Sequence, residues 1–317
     1  MRTITALFVG LGSIGTRHLK NLTNLCADRG CTLQADALRS DLSRPLRDGV
    51  AALLHAQYTD LADAPAHYDM VFITNPTSLH AEALTRVRGR GGALFIEKPI
   101  FSADQTGLDL ADCLPAGQKA YVAAPMRWCG VMLALKDRLP GLHPYCARVI
   151  CSSYLPDWRP GVDYRTVYSA HKVMGGGVTI DLIHEWDYLV ELFGVPEKLY
   201  NFKGTYSDLE IDSDDLSVYI ARYPTLLAEV HLDYFGRGYR RSIELFCHDG
   251  SYLADFGAGT LTLPDGTVQH YEEDVNRRYE REMEYFVDYA LTGSGESCNP
   301  PALALNVLKL TLGENVQ

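Results

Sequence analysis

One cation in this sequence is placed where it could act on a bound small molecule. Lys98 lies in Glu97-Lys98-Pro99, directly after the apolar run Ala93–Ile96, which is predicted to be a buried strand. Ligands bind at the carboxyl ends of strands in open parallel sheets, and proline disfavours helical torsions at the residue before it. A lysine held there could stabilise negative charge that develops on a substrate oxygen, although an isolated lysine is more often a solvated surface charge.

A second segment combines glycines with a carboxylate and an imidazole. Gly175–Gly177 precedes a predicted helix, Thr179–Phe193, that carries Asp181 and His184. Residues three apart share a helix face, so these two side chains are expected to point in the same direction. Histidine exchanges a proton near neutral pH, and a carboxylate can hold its ring in the required tautomer. The pair is therefore predicted to carry proton transfer; the alternative is a solvated helix surface with no catalytic role.

A glycine pattern near the start of the chain is typical of a dinucleotide site. The sequence from Gly10 to Gly15 has the form GxGxxG, follows an apolar strand-like run and leads into a helical pattern at Ile14–Ala27. The first glycine allows a tight turn, the second lets a pyrophosphate approach the backbone, and the third lets helix and strand pack closely. The residues predicted to hold the cofactor here are Gly10, Gly12, Ser13, Ile14 and Gly15.

The end of the second predicted strand bears on which dinucleotide binds. Leu33–Leu38 is followed by Arg39 and Ser40. An arginine with a hydroxyl suits a ribose 2′-phosphate, which favours NADP over NAD. The alternatives are that Arg39 stacks on the adenine of NAD, or that Asp36 or Asp41 binds the ribose.

Polar residues after two further strands complete the predicted cofactor site. Asn75 and Pro76 follow the strand-like run Met70–Thr74 and are expected beside the ribose and nicotinamide, although Asn-Pro is also an ordinary turn signal. Glu97 and Lys98 are expected to border the same cofactor. No metal site is predicted, because the eight cysteines include no CxxC pair.

These residues must be positioned by two domains that differ in their pattern of predicted secondary structure. Residues 1–124 alternate strand-like runs with helical patterns, two of them at Asp48–Gln57 and Ala103–Leu114, which predicts a doubly wound parallel α/β sheet. Residues 125–317 contain strands that follow one another closely, as in antiparallel sheets, with a few interspersed helices. The second domain is therefore predicted to be α+β, built on an open, mainly antiparallel sheet.

Composition limits the classes of partner. The chain has 317 residues, of which 47% are hydrophobic and 22% charged, as in a soluble globular protein. Its 29 basic and 40 acidic residues give a net charge of −11, which disfavours binding to nucleic acid or an anionic membrane. No apolar run approaches the roughly 20 residues needed to span a bilayer, and the start does not resemble a signal peptide. We expect a cytoplasmic protein with reduced thiols.

The three motifs together resemble a known family. The Gly10–Gly15 loop, Glu97-Lys98-Pro99 and the Gly175–His184 segment, in this order and at these separations, are similar to the Gfo/Idh/MocA oxidoreductases over nearly the whole chain. The resemblance implies a Rossmann domain followed by an α+β domain whose open sheet often mediates oligomers. It also implies NAD(P)-linked oxidation or reduction of sugars and related polyols.

The resemblance assigns roles to the catalytic candidates. Lys98 corresponds to the active-site lysine, Asp181 to the helix aspartate and His184 to the family histidine. Many members place the histidine four residues after the aspartate, where this chain has Glu185. The proton-transfer group is therefore either His184 or Glu185.

Substrate contacts are expected in the second domain. Arg127, at the crossing between domains, is predicted to bind an anionic substrate group or else to form a salt bridge between domains. Trp158, Arg159 and Tyr164 lie on one predicted loop, and such residues suit stacking on a sugar and gripping a carboxylate or phosphate, or else a subunit interface. The stretch 154–160 is similar to a family branch associated with bacterial surface-polysaccharide and sialic-acid-like sugar loci.

The predicted activity is that of an NAD(P)-dependent dehydrogenase or reductase acting on a CH–OH group of a sugar, sugar derivative or polyol. NADP is the expected cofactor, with NAD as the alternative, and the expected assembly is a homodimer or homotetramer. Two other functions are compatible with the motifs: a noncatalytic dinucleotide-binding sensor, and a redox-neutral epimerase or glycosidase that uses transient oxidation by bound NAD.

Overall fold

The chain forms two structural units, and the computed structural model describes residues 2–292 and 295–316 of it. The first unit comprises Met1–Pro125 and Tyr279–Leu305, and the second comprises Met126–Arg278 and Asn306–Gln317. This division differs from the predicted domains 1–124 and 125–317, because a late segment of the chain belongs to the first unit.

The first unit is built on six strands: β1 (Thr3–Val9), β2 (Thr32–Leu38), β3 (Ala56–Tyr58), β4 (Tyr68–Ile73), β5 (Gly91–Ile96) and β6 (Lys119–Val122). Their order is β3-β2-β1-β4-β5-β6, and all neighbouring pairs among these described strands are parallel. The order reverses between β1 and β4, and ligands bind at the carboxyl ends of strands beside such a switch point. The predicted doubly wound parallel sheet is confirmed.

Three helices follow strands of this sheet: α1 (Ser13–Asp28), α2 (His80–Arg86) and α3 (Leu110–Cys113). Two predicted helices are wrong in extent. Asp48–Gln57 contains a 3-10 turn at Ala51–Leu53 and then enters β3, because pairing with β2 overrides the helical pattern. Ala103–Leu114 is helical only at its ends, since Gly107 interrupts it and Asp109 caps a new helix by accepting the N–H of Ala111.

The second unit contains eight strands: β7 (Cys146–Tyr154), β8 (Lys198–Gly204), β9 (Leu216–Arg222), β10 (Leu227–Asp233), β11 (Phe235–Cys247), β12 (Gly250–Asp255), β13 (Thr260–Thr262) and β14 (Val268–His270). Their order is β14-β13-β12-β11-β7-β10-β9-β8. Among the described pairings only β7 with β10 is parallel, which confirms the predicted open, mainly antiparallel sheet.

The remaining helices are α4 (Gly130–Arg138), α5 (Val178–Asp181), α6 (His184–Phe193), α7 (Val275–Thr292) and α8 (Pro301–Thr311). The predicted helix Thr179–Phe193 is thus interrupted between Asp181 and His184, where Leu182 leaves helical torsions with φ −98° and ψ 32°. Helical spacing therefore does not place these two side chains on one face. Within the two described stretches, no helix has both the length and the apolar character needed to cross a bilayer.

Helix α7 explains why the late segment belongs to the first unit. Phe286 is fully buried there, with its ring 5.4 Å from that of Phe72 and 5.1 Å from that of Phe95, edge-to-face in both cases. Met283 and Val287 join the same hydrophobic core. Burying each large apolar side chain stabilises the folded state by about 1.5–3 kcal/mol. This helix is therefore an integral part of the first unit.

Candidate functional site

The glycine loop after β1 is shaped by close backbone contacts. Gly10 has a φ of +92°, and a Cβ there would lie 2.8 Å from Asn75 Cα. A Cβ on Gly15 would lie 2.6 Å from the carbonyl oxygen of Gly10 and 2.7 Å from Oγ1 of Thr74. Thr74 Oγ1 donates a hydrogen bond to that same carbonyl at 2.6 Å. Only glycine fits either position without displacing backbone.

The middle glycine of the loop is open instead. A Cβ added to Gly12 would meet no atom within 4 Å, and Gly12 is the N-cap of α1, whose first residues are Ser13 and Ile14. Unpaired N–H groups and the helix dipole make a helix N-terminus favourable for an anion. The loop therefore fits the pyrophosphate of a dinucleotide.

Asn75 and Pro76 follow β4 beside this loop. The ring of His80, which is fully buried, lies between the carbonyl oxygens of Asn75 and Ile100, 3.1 Å from each, and burial lowers the pKa of His80. Pro76 precedes a 3-10 turn at Thr77–Leu79. In the described part of the chain, Oδ1 of Asn75 is buried without a hydrogen-bond partner, so it could accept a hydrogen bond from a hydroxyl of a bound ribose.

A buried ion pair joins α1 to the segment that carries Lys98. His18 Nε2 lies 2.6 Å from Oε1 of Glu97, and both side chains are buried. Burial alone raises the pKa of Glu97, but the hydrogen bond and charge of His18, together with Lys98, outweigh it and lower that pKa. Oε2 of Glu97 also accepts the backbone N–H of Lys98 at 3.1 Å. The Glu97 side chain thus links the glycine-loop helix to the backbone of Lys98.

Lys98 itself is half-buried at the carboxyl end of β5, and its peptide bond to Pro99 is cis. Among residues 2–292 and 295–316, its ammonium group has no ion-pair partner, although it lies in the field of Glu97. A cation in this state can interact with an anionic or polar ligand without first breaking an internal bond.

The acids near the end of β2 are differently placed. Asp36 is 3% exposed, and its two oxygens are engaged by the hydroxyl of Tyr68 at 2.8 Å and by Nδ1 of His55 at 3.0 Å. Each of its two oxygens therefore already has a hydrogen-bond partner within the protein. Ser40 is exposed, and Asp41 Oδ1 accepts the N–H and the hydroxyl of Ser43.

In the second unit, Asp181 is held by two tyrosines. Its Oδ1 accepts the hydroxyl of Tyr168 at 2.7 Å, and its Oδ2 accepts the hydroxyl of Tyr234 at 2.5 Å. Burial and the charge of Asp181 raise the pKa of both tyrosines, so the hydroxyls keep their protons and act as donors. We call Tyr168, Asp181 and Tyr234 the tyrosine–aspartate cluster.

Two of the predicted substrate residues lie against this cluster. The ring of Trp158 is edge-on to that of Tyr234 at 5.2 Å, and the guanidinium of Arg159 lies 5.9 Å from the ring centre of Tyr168. Tyr164 instead accepts the N–H of Glu210 through its hydroxyl at 3.2 Å. A narrow cavity of about 10 Å³ is lined by all three predicted residues.

Glu185 is excluded as the proton-transfer group. It is fully buried on α6, and Arg241 donates to its two oxygens at 2.7 and 3.1 Å. A bidentate partner stabilises the carboxylate and leaves it without contact to solvent or substrate. The other alternative, His184, is half-buried.

The prediction that Arg127 binds substrate is also wrong. Its side chain is 2% exposed and donates to both oxygens of Asp187, at 3.0 and 2.7 Å. A second acid, Glu191, has its Oε2 3.6 Å from Nε of Arg127. Both acids are on α6, so Arg127 is held in a buried ion pair within the second unit. A guanidinium committed to carboxylates in this way is not available to a substrate anion.

Sequence patterns did not identify three residues that shape these sites. His18 had a weak signal, since it is a polar residue on the buried face of α1 beside Leu19 and Leu22. Tyr234, between β10 and β11, and Arg241, on β11, had none, because each lies far along the chain from its acidic partner. In the described part of the chain, no group of three or more His, Cys, Asp or Glu side chains is arranged to hold a metal ion.

The N-terminal part of the chain matches a known family. The sequence model of a family described as "Oxidoreductase family, NAD-binding Rossmann fold" matches residues 4–122. This match confirms the predicted resemblance in the part of the chain that contains the glycine loop and Lys98. No curated protein sequence matches the chain significantly.

Solved structures share the fold over almost the full length. Levoglucosan dehydrogenase in complex with NADH and levoglucosan is 15% identical, with a TM-score of 0.80 over 98% of this chain and 96% of that one. The WlbA dehydrogenase from Bordetella pertussis, in complex with NADH and UDP-GlcNAcA, is 19% identical, with a TM-score of 0.75 over 98% and 95%. An oxidoreductase from Agrobacterium radiobacter, in complex with NAD+, L-tartaric acid and magnesium, is 17% identical, with a TM-score of 0.78 over 98% and 95%. At these identities the likeness establishes a common fold.

Proposed function

We propose that this chain, whose residues 4–122 belong to the Gfo/Idh/MocA oxidoreductases, is an NAD(P)-dependent dehydrogenase or reductase of a sugar, sugar derivative or polyol. The observation that carries the proposal is Lys98, a cation without an ion-pair partner among the described residues, at the carboxyl end of β5. Through Glu97 and His18, its backbone is connected to the helix that begins at the glycine loop.

Each candidate residue has a distinct role in the proposed reaction. The bound nicotinamide supplies or accepts the hydride. Lys98 stabilises the negative charge that develops on the substrate oxygen, and His184 accepts the hydroxyl proton in oxidation and returns it in reduction. Asp181 orients the substrate and His184 electrostatically, with its own carboxylate held in place by Tyr168 and Tyr234.

The substrate class is supported by residues of the second unit. Trp158, Arg159 and the tyrosine–aspartate cluster offer aromatic faces, hydroxyls and a guanidinium, which are groups that bind the apolar faces and polar edges of sugars. The dehydrogenases with the same fold that were solved with levoglucosan and with UDP-GlcNAcA are consistent with a sugar-like substrate.

For the cofactor we propose NADP, with NAD as the alternative. Asp36, the acid within the second strand, is committed to Tyr68 and His55, and the chain continues with Arg39 and Ser40. An arginine-rich environment rather than a free carboxylate favours a 2′-phosphate. The adenosine end of the cofactor is treated further below.

We also propose a cytoplasmic homodimer or homotetramer. All eight cysteines, which lie in the described part of the chain, are free thiols, as is usual in a reducing compartment. The outer face of the second unit's sheet exposes Phe202 by 73% and Tyr200 by 58% of their surface, and large exposed aromatics of this kind favour association.

The test is the variant Lys98→Met, with Lys20→Met, an exposed lysine on α1, as the matched control. Turnover on sugars, nucleotide sugars and nonulosonic acids is measured by nicotinamide absorbance, and cofactor binding by fluorescence. We expect Lys98→Met to lower kcat about 100-fold or more and to change cofactor affinity less than about threefold. Full turnover by Lys98→Met would remove the lysine from the mechanism.

The same screen separates the other functions. Tight cofactor binding by the wild type with no turnover on any substrate would favour a sensor. A redox-neutral product formed while the cofactor stays bound would favour an epimerase or glycosidase.

A further inference from the structure

An arginine-rich pocket lies beyond the carboxyl end of β2. Its volume is about 420 Å³, and its lining includes Arg39, Arg44 and Arg47, with Asp48, Gln57 and Leu42. Three guanidinium groups around one pocket contrast with the chain's net charge of −11. Clustered arginines on an acidic protein indicate a site for an anion, because like charges repel one another unless a ligand or partner neutralises them.

Arg39 already makes two hydrogen bonds within the protein. Its guanidinium donates to Oε1 of Gln57 on β3 at 2.8 Å and to the backbone carbonyl of Arg44 in a shorter hydrogen bond. These two bonds connect the segment after β2 to the neighbouring strand and fix the backbone at Arg44. Arg39 therefore shapes the pocket wall.

Arg44 and Arg47 have their guanidinium groups available. Arg44 is 77% exposed and lies 3.5 Å from the carboxylate of Asp41, a solvated pair of the kind that contributes little. Arg47 is exposed, and its side chain makes no hydrogen bond or ion pair with any described residue, while its carbonyl accepts the N–H of Val50 and so fixes the turn.

The carboxylates nearby do not cancel this positive charge. Asp41 and Asp48 contribute two negative charges against three positive ones. The hydrogen bonds from the side chain and backbone of Ser43 lower the pKa of Asp41, so it is ionised and turned toward Ser43 and Arg44. One net positive charge remains at the pocket, where a phosphate of charge about −1.5 to −2 would be held.

We propose that Arg44 and Arg47 bind the adenosine 2′-phosphate of NADP(H), and that Arg39 is a positioning residue that holds their segment against β3. The proposal rests on the dinucleotide site proposed above, whose glycine loop follows β1, the strand next to β2. It reassigns phosphate recognition from Arg39 and Ser40 to residues five and eight positions further along the chain.

The test measures binding alone. NADPH and NADH are titrated by nicotinamide fluorescence, and 2′,5′-ADP and 5′-AMP by calorimetry, with the wild type and with Arg44→Gln, Arg47→Gln, the double variant and Arg39→Gln. The matched control is Arg86→Gln, which changes an exposed arginine on α2 that pairs with Glu82. Circular dichroism and thermal melting verify that each variant is folded.

We expect each single substitution at Arg44 or Arg47 to weaken NADPH and 2′,5′-ADP about tenfold and the double variant about 100-fold, with NADH and 5′-AMP changed less than about twofold. Arg39→Gln is expected to weaken NADPH and NADH by similar factors, because it disturbs the segment instead of a phosphate contact. The control is expected to bind like the wild type.

Two outcomes would overturn the assignment. One is a selective loss of NADPH affinity in Arg39→Gln with none in the double variant, and the other is unchanged discrimination between NADPH and NADH in the double variant. Failure of the dinucleotide site itself gives a different result, since the folded wild type would then bind neither dinucleotide, and failure of the proposed activity is read from turnover and leaves these affinities unchanged.

Discussion

Three acids within seven residues of one another have three different environments. Asp181 accepts hydrogen bonds from two tyrosines, Glu185 pairs with Arg241, and Asp187 pairs with Arg127. Asp181 is half-buried, whereas Glu185 is fully buried and Asp187 is 6% exposed. The role of each carboxylate depends on its partner. A carboxylate in a buried ion pair cannot contact a substrate, whereas one held by tyrosine hydroxyls stays accessible.

We predict opposite consequences for two adjacent substitutions on α6. His184→Asn should lower kcat about 100-fold and remove the dependence of kcat on pH near neutrality, because the proton-transfer group is lost. Glu185→Gln should leave kcat of the folded enzyme within about threefold but lower the free energy of unfolding by about 3 kcal/mol, because Arg241 becomes an unpaired buried charge.

These variants are compared by pH–rate profiles and by urea unfolding. Glu185→Gln keeps the size of the side chain, so its cost reports the charge. A stable Glu185→Gln enzyme with kcat reduced like that of His184→Asn would contradict the assignment of proton transfer to His184.

At the scale of elements, different glycines of the glycine loop serve packing and binding. Gly15 is in contact with Gly10 and Thr74, whereas Gly12 faces open space at the N-terminus of α1. The same residue type thus has two functions within four positions: one brings helix and strand together, and the other leaves room for a ligand. The GxGxxG spacing could be read from the sequence because the chemistry of each glycine is local.

We predict that Gly15→Ala lowers the free energy of unfolding by about 1–3 kcal/mol, because its Cβ would overlap backbone and Thr74. Gly12→Ala should fold like the wild type, since Gly12 has a φ of −69° and its Cβ meets nothing, yet bind dinucleotide at least tenfold more weakly. Denaturant unfolding and fluorescence titration give the two readouts. Equal dinucleotide affinity in Gly12→Ala and the wild type would show that the pyrophosphate does not approach this backbone.

The elements also differ in how well the local sequence pattern predicted their type and bounds. The strand β2 begins and ends within a residue of its predicted bounds, Leu33–Leu38. The helix predicted from Asp48 to Gln57 failed because β3 gains its stability from pairing with β2, a contact that the segment's own residues do not report.

At the scale of the whole molecule, the open sheet of the second unit offers a surface for self-association. Tyr200 and Ile220 are opposite each other on β8 and β9, and Phe202 is next to them on the same outer face. Arg148 and Glu229 form an ion pair further across this face, at 3.0 Å. An apolar edge followed by paired charges is the kind of surface that two copies can share.

We predict that Phe202→Glu shifts the proposed dimer or tetramer to a smaller assembly, because a carboxylate would be buried without a partner in the interface. The control is Val268→Glu on β14, which is 48% exposed at the opposite end of the same sheet. Light scattering coupled to size exclusion gives the mass of each variant. The same mass for Phe202→Glu and the wild type, across concentrations, would place the interface elsewhere.

The sequence alone determined where the chemistry-bearing backbone lies: the glycine loop after β1, Lys98 at the end of β5 and the Asp181–His184 segment. Those signals are local, since glycines, a proline and apolar periodicity act on neighbouring residues. Tertiary structure decided what each side chain does. Glu97 meets His18 79 positions away, Asp181 meets Tyr234 53 positions away and Glu185 meets Arg241 56 positions away. Such partners are brought together by strand order and packing, so spacing could identify the acids, but only the folded chain could show which partner each acid has.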